Sequence, residues 1–232
     1  MFLWDSTIII LIPAIILGII AQARVSSAFK RWSQVPARSG YSGAQIAQYL
    51  LRQGTVQLGE KGAVLGTVGI RAANGFLSDH YNPANETLNL SPEVYEGRSI
   101  AALAIAAHET GHAYQHATGY AALALRSLLV PAAQAGQLCW LLFIIGLFAR
   151  TPLLQNVAIW IFAGATLFTF ATLPVEFNAS SRAKVMLQQS GLVAAEEMPG
   201  VNAVLNAAAL TYVAAALMAA MQLLRMILLR RD

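Results

Sequence analysis

The stretch IAALAIAAHETGHAYQHA, residues 100–117, places three histidines and a glutamate at the end of an apolar run. Its alanines favour a helix, and Ser99 just before it is a residue type that caps helix N-termini. On a helix, His108 and His112 share one face and lie about 6 Å apart along the axis. Two imidazoles so placed can bind one Zn²⁺ ion, so the stretch predicts a metal-binding helix.

The same H-E-x-x-H spacing also supplies a base. Glu109 borders the face of the two histidines, where we expect it to accept a proton from a metal-activated water rather than bind the metal. His116 is an alternative ligand, but it lies about 12 Å from His108 along the axis, too far for easy convergence. A histidine six residues after the second would be another known pattern, and Thr118 stands there. We therefore predict that His116 packs against Tyr120 or the membrane surface.

The composition is typical of a membrane protein. Of the 232 residues, 57% are hydrophobic and 11% are charged, whereas soluble domains carry about 25% charged residues. The net charge of +4 is small and scattered, which argues against nucleic-acid binding. The single cysteine, Cys139, allows neither an intrachain disulfide nor a cysteine-based zinc site, and we predict a packed intramembrane side chain.

Four apolar stretches are candidate membrane spans, each near the roughly 20 residues that a bilayer requires. They are Thr7–Ala23, Leu128–Phe148, Leu153–Val175 and Ala203–Leu224. Only Arg150–Pro152 separates the second from the third, which predicts a tight helical hairpin. Alternatively, the first stretch is a signal peptide, because Ala21–Ala23 resembles a cleavage site. A signal peptide begins with positive charge, whereas the residues before this apolar run include Asp5 and no Lys or Arg.

The polar block between the first two spans, residues 24–120, predicts a small α+β domain. Ser42 followed by GAQIAQYLLRQ indicates a capped amphipathic helix. Thr55–Leu58 and Val64–Ile70 look like strands, as do two short runs around the turn residues Asn82–Asn85.

The second of these short runs, Thr87–Ser91, alternates apolar and polar residues as a half-buried strand does. It either packs inside the sheet or offers a free edge to an extended substrate.

The predicted fold class is mainly α, an integral membrane helical protein that carries a small α+β, zincin-like zinc domain. In chain order we expect a first span, the α+β zinc region with the H-E-x-x-H helix, a membrane hairpin, a segment with the third ligand, and a fourth span with a basic tail. Their bounds are 1–23, 24–120, 121–175, 176–202 and 203–232.

The third metal ligand is predicted just after the hairpin. The second and third spans cross out and back, so the chain after Val175 returns to the side of His108. Glu176 is the first residue there, and its carboxylate would complete a His₂Glu set, as in known catalytic zinc sites. Alternatively, Glu176 is an interfacial charge that ends a span.

Long ordered stretches over nearly the whole chain resemble one family, the YugP-like neutral zinc metallopeptidases, which are bacterial integral membrane proteins. The resemblance rests on SDHYNP, LNLSPEVYEGRSIAALAIAAHETGHAYQHA, LPVEFNASSRA and VLNAAALTYVAAAL. More distantly, an H-E-x-x-H helix followed by a hairpin and a glutamate resembles the HtpX-type membrane proteases. These resemblances imply zinc at His108, His112 and Glu176, with Glu109 as the catalytic base.

The chain departs from both patterns close to Glu176. The HtpX-type pattern has Asp four residues later, where this chain has Ser180, and the YugP-like pattern tends to have Asp two residues later, where it has Asn178. Either polar residue can orient a metal ligand from behind, though less strongly than a carboxylate. His80 is a candidate to stabilise an oxyanion, and its alternative role is a turn residue hydrogen-bonded to Asp79.

We therefore expect a zinc metalloendopeptidase that acts on peptides or membrane proteins, with a zinc-activated water and Glu109 as general base. The alternative is a zinc-stabilised membrane scaffold or chaperone, which would not require Glu109. A transporter is disfavoured because the spans carry almost no ionisable residues. The expected partners are the substrate and the lipid bilayer, without nucleic acid, and the sequence leaves the substrate and the oligomeric state open.

Basic residues predict the orientation in the membrane. Arg24, Lys30, Arg31 and Arg38 follow the first span within the window that sets topology. They predict a bacterial inner-membrane protein whose zinc site faces the cytoplasm. Arg182 and Lys184, after the third span, agree with this orientation. Arg230 and Arg231 disagree with it if the fourth stretch crosses completely.

Overall fold

The structure is a computed structural model, and it describes residues 6–75 and 78–231, without the side chain of Arg231. Nine α-helices and three strands are found in this part of the chain. The helices are α1 Ile12–Ser33, α2 Gly43–Leu58, α3 Ala63–Thr67, α4 Pro92–Tyr95, α5 Ile100–Ala117, α6 Ala121–Leu128, α7 Val130–Phe148, α8 Pro152–Ser190 and α9 Met198–Arg231. The strands are β1 Gly69–Ala72, β2 His80–Asn82 and β3 Thr87–Leu90. The mainly helical fold class is thereby confirmed.

The chain forms two compact units. The helical unit comprises Met1–Gln22, Ala122–Pro174 and Leu210–Asp232. The mixed unit comprises Ala23–Ala121 and Val175–Ala209, and it contains the sheet.

Four helices are long and apolar enough to cross a membrane. They cover Ser6–Ser33, Val130–Phe148, Pro152–Ser190 and Met198–Arg230. The third continues well beyond the predicted end of its span at Val175, so that Glu176 lies inside a helix rather than in a connecting segment. Cys139 is buried on α7, and its thiol donates to the carbonyl of Ala135, as expected for a packed side chain.

Small residues bring α7 and α8 into close contact within the helical unit. A Cβ atom on Gly136 would lie 2.5 Å from the Cβ of Ala165, and one on Gly146 would lie 2.9 Å from the nitrogen of Gln155. The two helices of the predicted hairpin, α7 and α8, therefore approach each other closely through small residues, as membrane helices often do.

The mixed unit contains a three-stranded sheet in the order β1-β3-β2. β1 pairs in parallel with β3, and β2 pairs with it antiparallel. Because β3 is paired on both sides, the interpretation of Thr87–Ser91 as a free edge is wrong. The strands with an outer edge are β1 and β2.

Two helix starts follow the predicted capping chemistry. The hydroxyl of Ser42 accepts from the backbone of Gln45, whose side chain accepts from the backbone of Ser42, a reciprocal capping box. Ser99 caps α5 by accepting from the backbone nitrogen of Ala102. These contacts fix where α2 and α5 begin.

Two predicted strands are wrong. Thr55–Leu58 is the last turn of α2, where the Thr55 hydroxyl donates to the carbonyl of Leu51 four residues earlier. Gly54 packs so tightly against Tyr114 on α5 that an added Cβ would lie 2.3 Å from its hydroxyl. Packing of α2 against α5 thus overrides the strand preference of Thr55 and Val56. Val64–Ile70 is helical to Thr67, and only its end enters β1.

The core of the mixed unit surrounds α5. Its apolar residues from Ile100 to Ala107 are mostly buried, and they pack against α2, the sheet, α8 and the start of α9. Partners include Leu50, Leu88 and Leu187, each fully buried. Since the N-terminal part of α5 is held on all sides, the histidines at its C-terminal part are fixed in position.

Candidate metal centre

His108, His112 and Glu176 converge within the mixed unit, with their ligand atoms all within 4.8 Å of one another. The Oε2 atom of Glu176 lies 3.3 Å from Nε2 of His108 and 3.6 Å from Nε2 of His112. Zinc bonds of about 2.0–2.1 Å in a tetrahedron place ligand atoms about 3.3–3.4 Å apart. The two distances from the carboxylate oxygen to the imidazole nitrogens are therefore close to those of a zinc ligand set.

The chemistry of the buried carboxylate supports a cation at this place. Glu176 is 3% exposed, and Oε2 is buried without a hydrogen-bond partner among the described residues. A buried charged oxygen is costly unless it is paired or binds a metal. Two imidazole nitrogens and one carboxylate oxygen also match the donor preferences of Zn²⁺. The residues present thus fit the metal.

A glycine lets the two helices of the site approach each other. Gly111 lies between the two histidines on α5, and an added Cβ would lie 2.6 Å from the carbonyl oxygen of Ala179 on α8. Ala179 is three residues after Glu176, close to one helical turn. Because Gly111 has no side chain, this turn of α8 can lie directly against α5, which brings Glu176 to both histidines.

The side chain of Gln115 determines the orientation of His112. Its Nε2 donates to the carbonyl of Val175 at 2.7 Å, and its Oε1 lies 3.0 Å from Nδ1 of His112. A carbonyl only accepts hydrogen bonds, so the amide nitrogen must face Val175 and the oxygen must face the histidine. Nδ1 of His112 therefore carries a proton, and Nε2 is the ring nitrogen directed toward Glu176.

Asn178 supports this arrangement indirectly. Its Oδ1 accepts from Nε2 of Gln115 at 3.0 Å and from Nε of Arg182 at 2.8 Å. Arg182 also reaches the hydroxyl of Thr118. Asn178 therefore orients the side chain of Gln115, which in turn orients His112. We had expected Asn178 to contact a metal ligand directly.

Ser180 contacts the other histidine directly. Its hydroxyl lies 3.1 Å from Nδ1 of His108. Each of the two histidines thus has a partner at Nδ1 and directs Nε2 toward Glu176, the arrangement that fixes the orientation of a ligating imidazole.

Glu109 lies on the neighbouring face of α5 and contacts the sheet. It is 7% exposed, and its Oε2 accepts from the backbone nitrogen of Tyr81 at 3.0 Å. Tyr81 is the middle residue of β2, so the carboxylate binds the outer edge of that strand. The candidate base therefore lies against the outer edge of the sheet and occupies the backbone N–H of Tyr81 there.

Tyr81 also contacts His116, which lies two helical turns after Glu109 on α5. The phenol oxygen lies 2.8 Å from Nδ1 of His116, and burial raises the pKa of Tyr81 to about 12, so the phenol keeps its proton. His116 is outside the group that could hold a metal. Its partner in the structure is Tyr81, where we had expected Tyr120 or the membrane surface.

His80 is exposed and uses both ring nitrogens. Nδ1 lies 2.8 Å from the carbonyl of Ser78, so it donates, and Nε2 lies 3.2 Å from the amide nitrogen of Asn89. Asp79 accepts from the backbone and hydroxyl of Ser91, and burial raises the pKa of its carboxyl. His80 is thus held by Ser78 and Asn89, and its role toward an oxyanion stays a prediction.

Sequence reasoning missed three residues of the site, Gln115, Tyr81 and Gly111. Gln115 is fully buried and stands three positions after His112, a spacing at which helix side chains meet. That spacing was the available indication. The contacts of Tyr81 and Gly111 depend on long-range packing, which no local pattern reveals.

Comparison with known proteins assigns the family. Residues 7–231 match the family described as "Putative neutral zinc metallopeptidase". The chain belongs to this family. The chain is also similar to "Putative membrane protease YugP" from Bacillus subtilis (strain 168), with 42% identity over 223 residues, which cover 96% of this chain and 95% of the relative. The expected resemblance to the YugP-like family is confirmed, and no solved structure matches the chain.

Proposed function

We propose that the protein is a membrane-bound zinc metalloendopeptidase in which His108, His112 and Glu176 hold the metal. The observation that carries the proposal is the buried Oε2 of Glu176, which lacks a hydrogen-bond partner among the described residues and lies 3.3 Å and 3.6 Å from two imidazole nitrogens. The family and the protease name of the relative support the same chemistry.

When bound, zinc would polarise the scissile carbonyl and lower the pKa of a water molecule, so that the water could give up a proton and act as a nucleophile at neutral pH. Glu109 takes a proton from the attacking water as the bond from oxygen to the carbonyl carbon forms. It then gives that proton to the amine nitrogen as the carbon–nitrogen bond breaks. Glu109 lies on α5 and is almost completely buried against β2, which keeps its carboxylate in one position for both proton transfers.

The outer edge of β2 is the place where the substrate would lie. An extended peptide adds to an exposed strand edge through main-chain hydrogen bonds, without requiring a free terminus. Glu109 already accepts from the backbone nitrogen of Tyr81 on this edge, so a segment that lies along β2 would pass the base and pair through the other main-chain groups of the edge. Binding through the main chain of an internal segment is the reason that we propose an endopeptidase.

The four apolar helices and the name of the relative, a membrane protease, support a location in a bacterial cell membrane. The basic residues just after the first span, Arg24, Lys30, Arg31 and Arg38, favour a cytoplasmic site. Peptides or membrane proteins that reach the site from that side would be its substrates.

Zinc content and cleavage, measured together, test this function. Purified protein is incubated with a peptide library blocked at both ends, before and after removal of metal by a chelator and readdition of zinc. We expect about one zinc per chain, internal cleavage, loss with chelator and recovery with zinc. Glu176→Ala should lose both zinc and cleavage, whereas the exposed Glu93→Ala should keep both. Stoichiometric zinc in Glu176→Ala would refute the ligand set.

A further inference from the structure

The helical unit carries arginines with few acids to balance them. Its only acidic residues are Asp5 and Asp232, which lie outside the described residues. Residues 121–174, which form α6, α7 and the first part of α8, contain Arg126 and Arg150 but no Asp or Glu. An arginine in this region thus has no carboxylate close to it in the chain.

Within the described residues, Arg126 on α6 has an aromatic ring beside it but no hydrogen-bond acceptor at Nε. Its guanidinium lies 5.7 Å from the ring centroid of Phe168 on α8. Its Nε is buried and has no hydrogen-bond partner within the described chain. An aromatic face attracts a cation but does not replace an anionic acceptor, which guanidinium groups bind best as a planar fork. The described residues of the helical unit therefore offer Arg126 no anionic hydrogen-bond acceptor.

The register of the hairpin places Arg126 at the end away from its turn. Gly146 packs against Gln155 near the turn, Gly136 packs against Ala165, and Arg126 lies over Phe168. From Pro152 to Phe168, α8 rises by about 24 Å, compared with roughly 30 Å for a hydrocarbon core. When the turn lies at one boundary of that core, the guanidinium lies close to the other, at the depth from which arginine reaches lipid phosphates.

We propose that Arg126 binds the headgroup phosphate of an anionic phospholipid. Leu125 and Leu128, which are 51% and 76% exposed, flank it on α6 and offer an apolar surface to the acyl chains. A net negative lipid is favoured over a zwitterionic one because residues 121–174 are purely basic in charge, and basic pockets between membrane helices bind such headgroups. This site depends on the membrane location proposed above and not on the metal centre.

Lipid binding to the full-length protein in a neutral detergent tests the site. The probes are phosphatidylglycerol, phosphatidylcholine and inorganic phosphate, and the readouts are native mass spectrometry and thermal unfolding. We expect phosphatidylglycerol to bind about tenfold more tightly than phosphatidylcholine and to raise the melting temperature by about 3 °C. Arg126→Gln should abolish this preference, while Arg150→Gln at the exposed hairpin turn should preserve it.

Arg126→Lys keeps the charge without the planar fork and should bind phosphatidylglycerol with intermediate affinity. If Arg126→Gln fails to fold, the phosphatidylglycerol affinities of wild type and Arg126→Lys are compared instead. Equal affinities of these two proteins would overturn the proposal. An equal loss in Arg150→Gln, or stabilisation by inorganic phosphate but not by phosphatidylglycerol, would also overturn it. All variants should retain zinc, which separates this test from that of the metal centre.

Discussion

Gln115 shows how a single buried side chain prepares a metal ligand. It contacts His112, Asn178 and the carbonyl of Val175, and these contacts leave one orientation for its amide. Nε2 of the histidine is consequently the ring nitrogen left to bind a metal. Such supporting contacts commonly change metal affinity by about 10–100-fold.

Gln115→Leu is therefore expected to weaken zinc binding by about 10–100-fold, since Nδ1 of His112 loses its acceptor. Competition with a chromogenic chelator measures the affinity. Gln188→Leu, at an exposed position of α8, is the matched control and should bind zinc like wild type. Unchanged affinity in Gln115→Leu would mean that the histidine is oriented without it.

At the residue level, the helical spacing of His108 and His112 and the out-and-back path of the hairpin were sufficient to predict three converging side chains. The two i,i+4 histidines can be placed from sequence because an α-helix has fixed geometry. The backbone contact of Glu109 with Tyr81 was not predictable, since it joins residues 28 positions apart through the sheet.

The elements α5 and α8 meet at Gly111, and this contact sets the distance between Glu176 and the histidines. The carbonyl of Ala179 occupies the place where a side chain would be. Close packing of two helix backbones requires small residues at the contact, and glycine allows the closest approach.

Gly111→Ala should force the helices apart, destabilise the protein by about 1–3 kcal/mol and lower its zinc affinity. Thermal unfolding and zinc titration check both effects. Gly66→Ala, where an added Cβ would only touch Thr55 at 3.6 Å, should change neither. If Gly111→Ala binds zinc normally, the close approach is not what positions Glu176.

Element starts were easier to predict than element identities. The capping residues Ser42 and Ser99 act through neighbouring backbone groups, so local sequence determines them. Thr55–Leu58 was mistaken for a strand because its β-branched residues favour strands, whereas the close packing of the preceding Gly54 against Tyr114 keeps this part of α2 against α5. The central position of β3 depends on its parallel pairing with β1, a long-range choice.

At the scale of the whole molecule, the orientation in the membrane decides which substrates can reach the site. Basic residues after the first span predict a cytoplasmic site and a hairpin turn on the opposite side. Single cysteines introduced into a Cys139→Ala background report on each side. Ala149→Cys near the turn should react with an impermeant maleimide in intact cells, and Ala84→Cys between β2 and β3 only after permeabilisation. The reverse pattern would invert the topology.

The central claim is that Glu109 performs hydrolysis next to a zinc ion. The most direct measurement compares wild type, Glu109→Gln and the exposed control Glu93→Gln for zinc content and for cleavage of a doubly blocked peptide. Glu109→Gln should bind zinc like wild type and cleave at least about 100-fold more slowly, because it lacks the base. Glu93→Gln should match wild type. Equal cleavage by wild type and Glu109→Gln would contradict the proposed mechanism, and zinc binding without any cleavage by wild type would favour a scaffold.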